Sequence, residues 1–280
     1  MEKFQELAER KRKHIIEMID YGESFLKRDI RVILMEKGGD DLRNRMIHKK
    51  QNLEEMDEKA LTKVALEMAL TLRDFHQFAI HLDFKLDNLV YVSNEKSGGN
   101  EILKLIDFDG SHLMLGGHNG DDADRAEKIL FAHVTPMRYK SPEQLMGQKI
   151  SRKSDIWAFG VSLYEIIVQF KSLSGNVSLA DFQSLLNLYS GFTIIITENN
   201  VIDPAIVVYN RNWFKEARST IEEVLTFWDL FPIKMRLITN ALHRDPTKRL
   251  SAKGIVEYLS EKCELAEFSS LKDAREIAFS

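Results

Sequence analysis

Residues 81–88, His-Leu-Asp-Phe-Lys-Leu-Asp-Asn, restrict the fold of this chain more than any other stretch, because they crowd an imidazole, two carboxylates, a lysine and an amide between apolar patterns. Before them, Leu61, Val64, Ala65, Met68, Leu72 and Phe75 recur every three or four positions, which predicts a long helix over residues 57–78 with one wide buried stripe. After them, residues 88–92 and 102–106 read as two short strands around a polar tip with a Gly98-Gly99 pair, hence a β-hairpin. A segment this polar, held between elements that must both bury a face, is either a hydrated turn or a site. The hairpin favours a site, since it would carry Asn88 and Asp107 to the same end of two adjacent strands.

The remaining patterns surround that centre. Residues 1–13, with Phe4, Leu7 and Ala8, read as an amphipathic helix, and residues 15–21 and 31–35 as a strand pair. Residues 109–134 are polar, and Gly116-Gly117-His118-Asn119-Gly120 within them reads as a flexible turn. Helical patterns follow at residues 155–170, 232–243 and 252–264. Strands near the front and helices behind predict an α+β chain with one principal core.

Charge and cysteine usage narrow the function. With 39 Lys+Arg against 43 Asp+Glu, the net charge of −4 offers no broad basic footprint, so neither nucleic acid nor a membrane surface is an expected partner. Cys263 is the single cysteine, which excludes an intrachain disulfide and a cysteine zinc cluster and suits a reducing, intracellular, cytoplasmic setting. Residues 157–170 are the most apolar run, but Ser162, Glu165 and Gln169 interrupt it and it is shorter than the ~20 residues a bilayer requires. Histidines 14, 48, 76, 112, 118, 133 and 243 have no repeated metal spacing, so surface or capping roles are expected. Met56 and Met68 read as helix packing residues.

An amide and a carboxylate converging at one sheet end can hold Mg²⁺, a hard cation that leaves further positions for water and phosphate. Asp83 would then be free to orient a hydroxyl and accept its proton. Lys85, two residues on, shares that face when the backbone is extended and can neutralise a transferring phosphoryl group. These are the parts of a phosphotransferase.

Several motifs now line up in order. Residues 81–88 match H-R-D-L-K-x-x-N, Asp107-Phe108-Asp109 matches D-F-G, and Ser141-Pro142-Glu143 matches A-P-E. Thr135 and Tyr139 stand where T-x-x-x-Y-x-A-P-E has its substrate-facing pair. Asp155-Ile156-Trp157-Ala158-Phe159-Gly160 matches D-x-W-x-x-G, and Asp245-Pro246-Thr247-Lys248-Arg249 matches D-P-x-x-R. The sequence resembles the catalytic domain of eukaryotic protein kinases over about residues 1–265. Lys85 places it with the serine/threonine branch.

The resemblance implies a protein-kinase-like fold with a partial N-lobe at residues 1–36, a mainly helical C-lobe at 37–265 and a tail at 266–280. It implies ATP and Mg²⁺ as cofactors and a protein Ser/Thr hydroxyl as acceptor. Asp83 is the implied base, Lys85 the phosphate contact, Asn88 and Asp107 the metal ligands, and Val90 the adenine floor. Met35 holds the gatekeeper position, while Glu36 in the hinge and Asp40 beyond it lie against the nucleotide. His81 and Phe108 have structural roles, Asp155 should bind catalytic-loop amides, and Glu143 should pair with Arg249.

There are departures. The G-x-G-x-x-G loop and the V-A-I-K lysine would fall upstream of Met1, and the place of the helix glutamate falls near Lys3. Asp109 replaces the D-F-G glycine, and Leu82 replaces the arginine that pairs with an activation-loop phosphate. Two readings follow: a serine/threonine kinase, or a catalytically impaired scaffold that keeps the fold for interaction.

Overall fold

The computed structural model describes residues 13–24, 30–52, 56–94, 100–114, 135–136, 139–171, 232–243 and 245–260. Residues 1–12 of the helix expected at 1–13, the glycine turn at 116–120, residues 95–99 of the hairpin tip and the tail at 266–280 lie outside the described residues.

Two short strands, β1 (Met18–Glu23) and β2 (Arg31–Met35), form an antiparallel ribbon. Helix α1 (Leu42–Gln51) follows, then the long helix α2 (Glu58–Phe75). Asp57 caps α2 by accepting from the Ala60 amide at 2.6 Å. Met56 and Leu61 flank this cap and are both buried in the core, an arrangement that fixes the entry angle of the chain. The expected stripe is buried along its length. The helix stops three residues short of position 78, because the Phe78 amide turns back to Phe75 and the Phe78 carbonyl accepts from Met114.

That exchange belongs to a small ladder between β3 (Ala79–Ile80) and β6 (His112–Leu113). Between them lies the hairpin of β4 (Leu89–Asn94) and β5 (Asn100–Leu105), with Leu89 opposite Leu105 and Val90 opposite Lys104. Residues 14–16 do not open β1 as the sequence pattern suggests. They lie along β5 instead: Ile15 bridges Leu105, whose amide donates to the His14 carbonyl and whose carbonyl accepts from Ile16. His14 is accordingly buried, with Nδ1 at 2.7 Å from Asp74 Oδ2, and is not a surface histidine.

The helical side contains α3 (Pro142–Leu145), α4 (Arg152–Lys171), α5 (Pro232–Ala241) and α6 (Ala252–Leu259). Helix α4 begins three residues before the expected Asp155 and runs through the centre of the core. Its Gly160 allows α5 to approach, since a Cβ there would stand 2.8 Å from that of Ala241. Among the described residues no helix is long and apolar enough to cross a membrane. Helix α1 has no counterpart in the sequence expectations: only Leu42 and Met46 are buried among charged neighbours, too little apolar periodicity to reveal it.

Candidate active site

The polar octapeptide is not a hydrated turn: His81, Asp83 and Asn88 are 0, 5 and 5% exposed. Asp155, at the start of α4, organises it. One carboxylate oxygen accepts from the His81 amide at 2.7 Å and from His76 Nε2 at 2.9 Å, and the other accepts from the Leu82 amide at 2.8 Å. His76, which also ends α2, is therefore a buried partner of this carboxylate.

These bonds hold Leu82 at φ 65°, a left-handed conformation that costs a non-glycine residue ~1–2 kcal/mol. The Leu82 carbonyl also accepts from the Thr135 hydroxyl, which in turn accepts from Gln144 Nε2. The Leu82 side chain lands among Ile80, Ile150 and Met114, so an apolar cluster fills the place where the motif has an arginine.

His81 accepts from the Asp83 amide at Nδ1 (3.2 Å), which leaves Nε2 to donate to the Ile106 carbonyl (3.0 Å). Burial lowers its pKa, outweighing the opposing pull of nearby Asp155, and this favours the neutral ring. His81 also meets Phe75 and Phe108 edge-on, while Phe75 and Phe108 stack at 5.3 Å. The ring thus links the catalytic-loop residues to the segment after β5.

Asp83 Oδ2 is 2.7 Å from Lys85 Nζ and 3.0 Å from Asn88 Nδ2, which donates as well to the Asp83 carbonyl at 2.8 Å. Lys85 is extended, at φ −162° and ψ 167°, and this returns its side chain to Asp83. Asp83 Oδ1 is buried and has no hydrogen-bond partner among the described residues. With both amide hydrogens of Asn88 committed to Asp83, its carbonyl oxygen remains as an acceptor.

The hairpin register brings the next residues in. The Ile106 amide donates to the Asn88 carbonyl at 3.0 Å, so Asp107 follows directly at the same strand end. Asp107 is exposed, at φ 62°. Asp109 is not among the residues with positive φ, so replacing the motif's glycine leaves no left-handed strain at that position.

On the other side, Gly39 donates to the Tyr91 carbonyl at 2.7 Å and Asp41 bridges Val90, which lays residues 38–41 along β4. A Cβ at Gly39 would stand 3.1 Å from that carbonyl, a tight contact that glycine avoids. Val90 is buried beside this strand of chain, and the exposed Asp40 has its carboxylate 3.7 Å from His48. Glu36 accepts from the Glu17 amide and pairs with Lys104, so its carboxylate is engaged within the fold.

Glu143 and Arg249 form a two-pronged pair at 2.7 and 2.9 Å, almost wholly buried. Ser154 donates to the same carboxylate, Arg249 Nε donates to the His243 carbonyl, and the guanidinium lies 5.2 Å over the Trp157 ring. Burial alone would raise the Glu143 pKa, but the Arg249 hydrogen bond and charge outweigh it and hold the carboxyl below its ordinary value.

Thr135 and Tyr139 both point into the fold rather than to solvent. Both are buried, Thr135 against the Leu82 carbonyl and Tyr139 with its hydroxyl 2.8 Å from Glu165. The sequence reading also overlooked Arg43. Its Nε donates to Asp87 (2.9 Å), and its Nη2 donates to the Tyr139 hydroxyl (2.9 Å) and to Glu165 (3.2 Å). Partial burial would lower its pKa, but the Asp87 hydrogen bond and the charge of Glu165 leave it raised.

A buried loop carboxylate thus lies beside an amide and a second carboxylate at one hairpin end, and a buried ion pair stands on the helical side. The sequence matches the family described as Protein kinase domain over residues 2–259, and the chain belongs to that family. It is 26% identical over 203 residues to ribosomal protein S6 kinase alpha-1 of Rattus norvegicus, a match covering 72% of this chain and 22% of the relative. A probable serine/threonine-protein kinase, fnkE, of Dictyostelium discoideum is 31% identical over 137 residues, 48% of this chain and 9% of the relative. Protein kinase C-like 1 of Caenorhabditis elegans is 28% identical over 169 residues, 59% of this chain and 21% of the relative. The chain thus spans less than a quarter of the length of these relatives.

Proposed function

We propose that this domain transfers the γ-phosphoryl group of ATP to a serine or threonine hydroxyl of a protein. The observation that carries this reading is Asp83: one carboxylate oxygen is fixed by Lys85 and Asn88, while the other is buried without a partner among the described residues. A buried acceptor left open at considerable desolvation cost suits a hydroxyl that arrives with the substrate.

In that reaction the hydroxyl proton passes to Asp83 Oδ1. The hydroxyl oxygen forms the new bond to the γ-phosphorus, and the bond from that phosphorus to the bridging oxygen breaks, leaving ADP. Lys85 stands beside Asp83 to balance charge on the transferring group. The free oxygen of Asn88 and the exposed carboxylate of Asp107 are the hard donors that Mg²⁺ takes. When bound, Mg²⁺ supplies charge neutralisation on the phosphates. Val90 provides an apolar floor for adenine, with residues 36–40 alongside it. One of these homologues, fnkE, is a probable serine/threonine-protein kinase by name, and this supports the choice of acceptor.

The test is transfer of labelled γ-phosphate to a pool of Ser/Thr peptides. Asp83→Asn is expected to lower turnover by about 10²–10⁴-fold while nucleotide binding is retained. A chain that binds Mg²⁺·ATP but transfers nothing, with or without Asp83, would favour the scaffold reading.

A further inference from the structure

The Arg43 side chain joins three parts of the molecule that are distant in sequence. It rises from the first turn of α1, reaches Asp87 in the turn Leu86–Asn88, and touches Tyr139 beyond residue 138 and Glu165 on α4. Asp87 immediately precedes Asn88, whose amide fixes both the backbone carbonyl and the carboxylate of Asp83. A guanidinium suits this junction, since its planar fork can donate to several acceptors at once while remaining charged.

From this geometry we infer that Arg43 is a positioning residue for the catalytic loop: through Asp87 it sets the turn that presents Asn88 to the metal and to Asp83. Removing it takes away a guanidinium that touches both Asp87 and Glu165. The turn then loses its tie to α1. The effect is local, because the core under the loop is packed by Leu86, Leu89 and Phe84 independently of Arg43. The metal-binding part of this inference rests on the kinase reading, whereas the ordering of the turn does not.

The experiment uses the full chain in wild-type form and as Arg43→Ala, Arg43→Lys and Arg43→Ala/Asp87→Asn. Amide hydrogen exchange is followed over residues 83–89, with α2 and α4 as internal references. Arg43→Ala is expected to speed exchange of the turn by about tenfold while the references stay unchanged. Arg43→Lys, which keeps charge but not the fork, should fall between the two. If Arg43 acts through Asp87, the double variant is no worse than Arg43→Ala. Unchanged exchange at 83–89, or an equal rise in all three regions, overturns the inference.

A second arm measures the Mg²⁺ concentration at half-saturation of ATP binding. Arg43→Ala should raise it severalfold at a temperature where the chain is fully folded, and an unchanged midpoint contradicts the link to Asn88. If the wild-type chain shows no Mg²⁺-dependent binding, the kinase reading falls, and the exchange arm still decides whether Arg43 orders the turn.

Discussion

Two antiparallel strand pairs in this molecule have similar apolar content and opposite fates. In β4–β5, Leu89, Val90, Tyr91, Val92, Leu103 and Leu105 are all less than 9% exposed. In β1–β2, Ile19, Tyr21, Val32, Ile33, Leu34 and Met35 are 47–58% exposed. The difference comes from what lies against each pair. The β4–β5 hairpin is covered by the stripe of α2 and extended by residues 14–16 along β5. The ribbon's ladder runs on through the Glu36 amide bond to the Glu17 carbonyl, and the Glu36 carboxylate pairs with Lys104 of β5. Strand-forming sequence is therefore necessary for both but sufficient for neither; neighbours decide which becomes a rigid platform. The candidate catalytic groups sit at the end of the covered pair, where a carboxylate can be held to within hydrogen-bond tolerance.

The largest effect is expected on the helical side. Glu143→Ala or Arg249→Ala should cost roughly 3–5 kcal/mol in denaturant unfolding, because either change strands a buried charge. The double variant should be no worse than the worse single one, since their effects act through one pair. A loss below about 1 kcal/mol would mean that the pair does not support the helical side.

Within the strand pairs, Leu105→Ala should cost ~2–5 kcal/mol, the usual range for emptying a packed leucine site. Leu34→Ala on the ribbon should stay within about 0.5 kcal/mol by the same measurement. Equal costs would show that the ribbon is covered in solution and that the contrast between the two pairs is smaller than their exposures indicate.

Acidification distinguishes the regions more gently. Burial lowers the His81 pKa below 6.5, so as pH falls through 6.5 the unfolded chain takes up a proton that the native ring refuses. Native stability then declines by up to about 1.4 kcal/mol per pH unit from this group, and His81→Gln should flatten that slope. Further down, Glu143 acts in the same sense: its lowered folded pKa gives stability that is present above its unfolded value of 4.5 and is lost as pH drops through the folded one. The ribbon contains no histidine, and its local opening should not follow the 6.5 step.

Legibility in the sequence followed the same division. The α2 stripe was readable because its period of 3.6 reflects burial on a single face, and the β4–β5 hairpin because two short apolar runs flank a polar tip with a glycine pair. The catalytic-loop cluster was readable because polar groups between buried elements need partners or ligands. Helix α1 was not, since it rests on two buried residues and an Asp41 cap. Arg43 was equally invisible: its acceptors lie 44, 96 and 122 positions away, and no local pattern encodes such a junction. His14 and His76 look like ordinary polar residues until tertiary contacts supply Asp74 and Asp155. The motif position of Tyr139 gives its residue type but not its partners, Arg43 and Glu165, which only the fold supplies.

The proposed function requires a Mg²⁺-dependent nucleotide site at the end of the covered hairpin. Calorimetric titration of the full chain with ATP, with and without Mg²⁺, tests it most directly. The account predicts binding that needs Mg²⁺ and is lost in both Asn88→Ala and Asp107→Ala, with the fold of each variant intact by thermal melting. ATP binding that is indifferent to Mg²⁺, or that survives both substitutions unchanged, would contradict it.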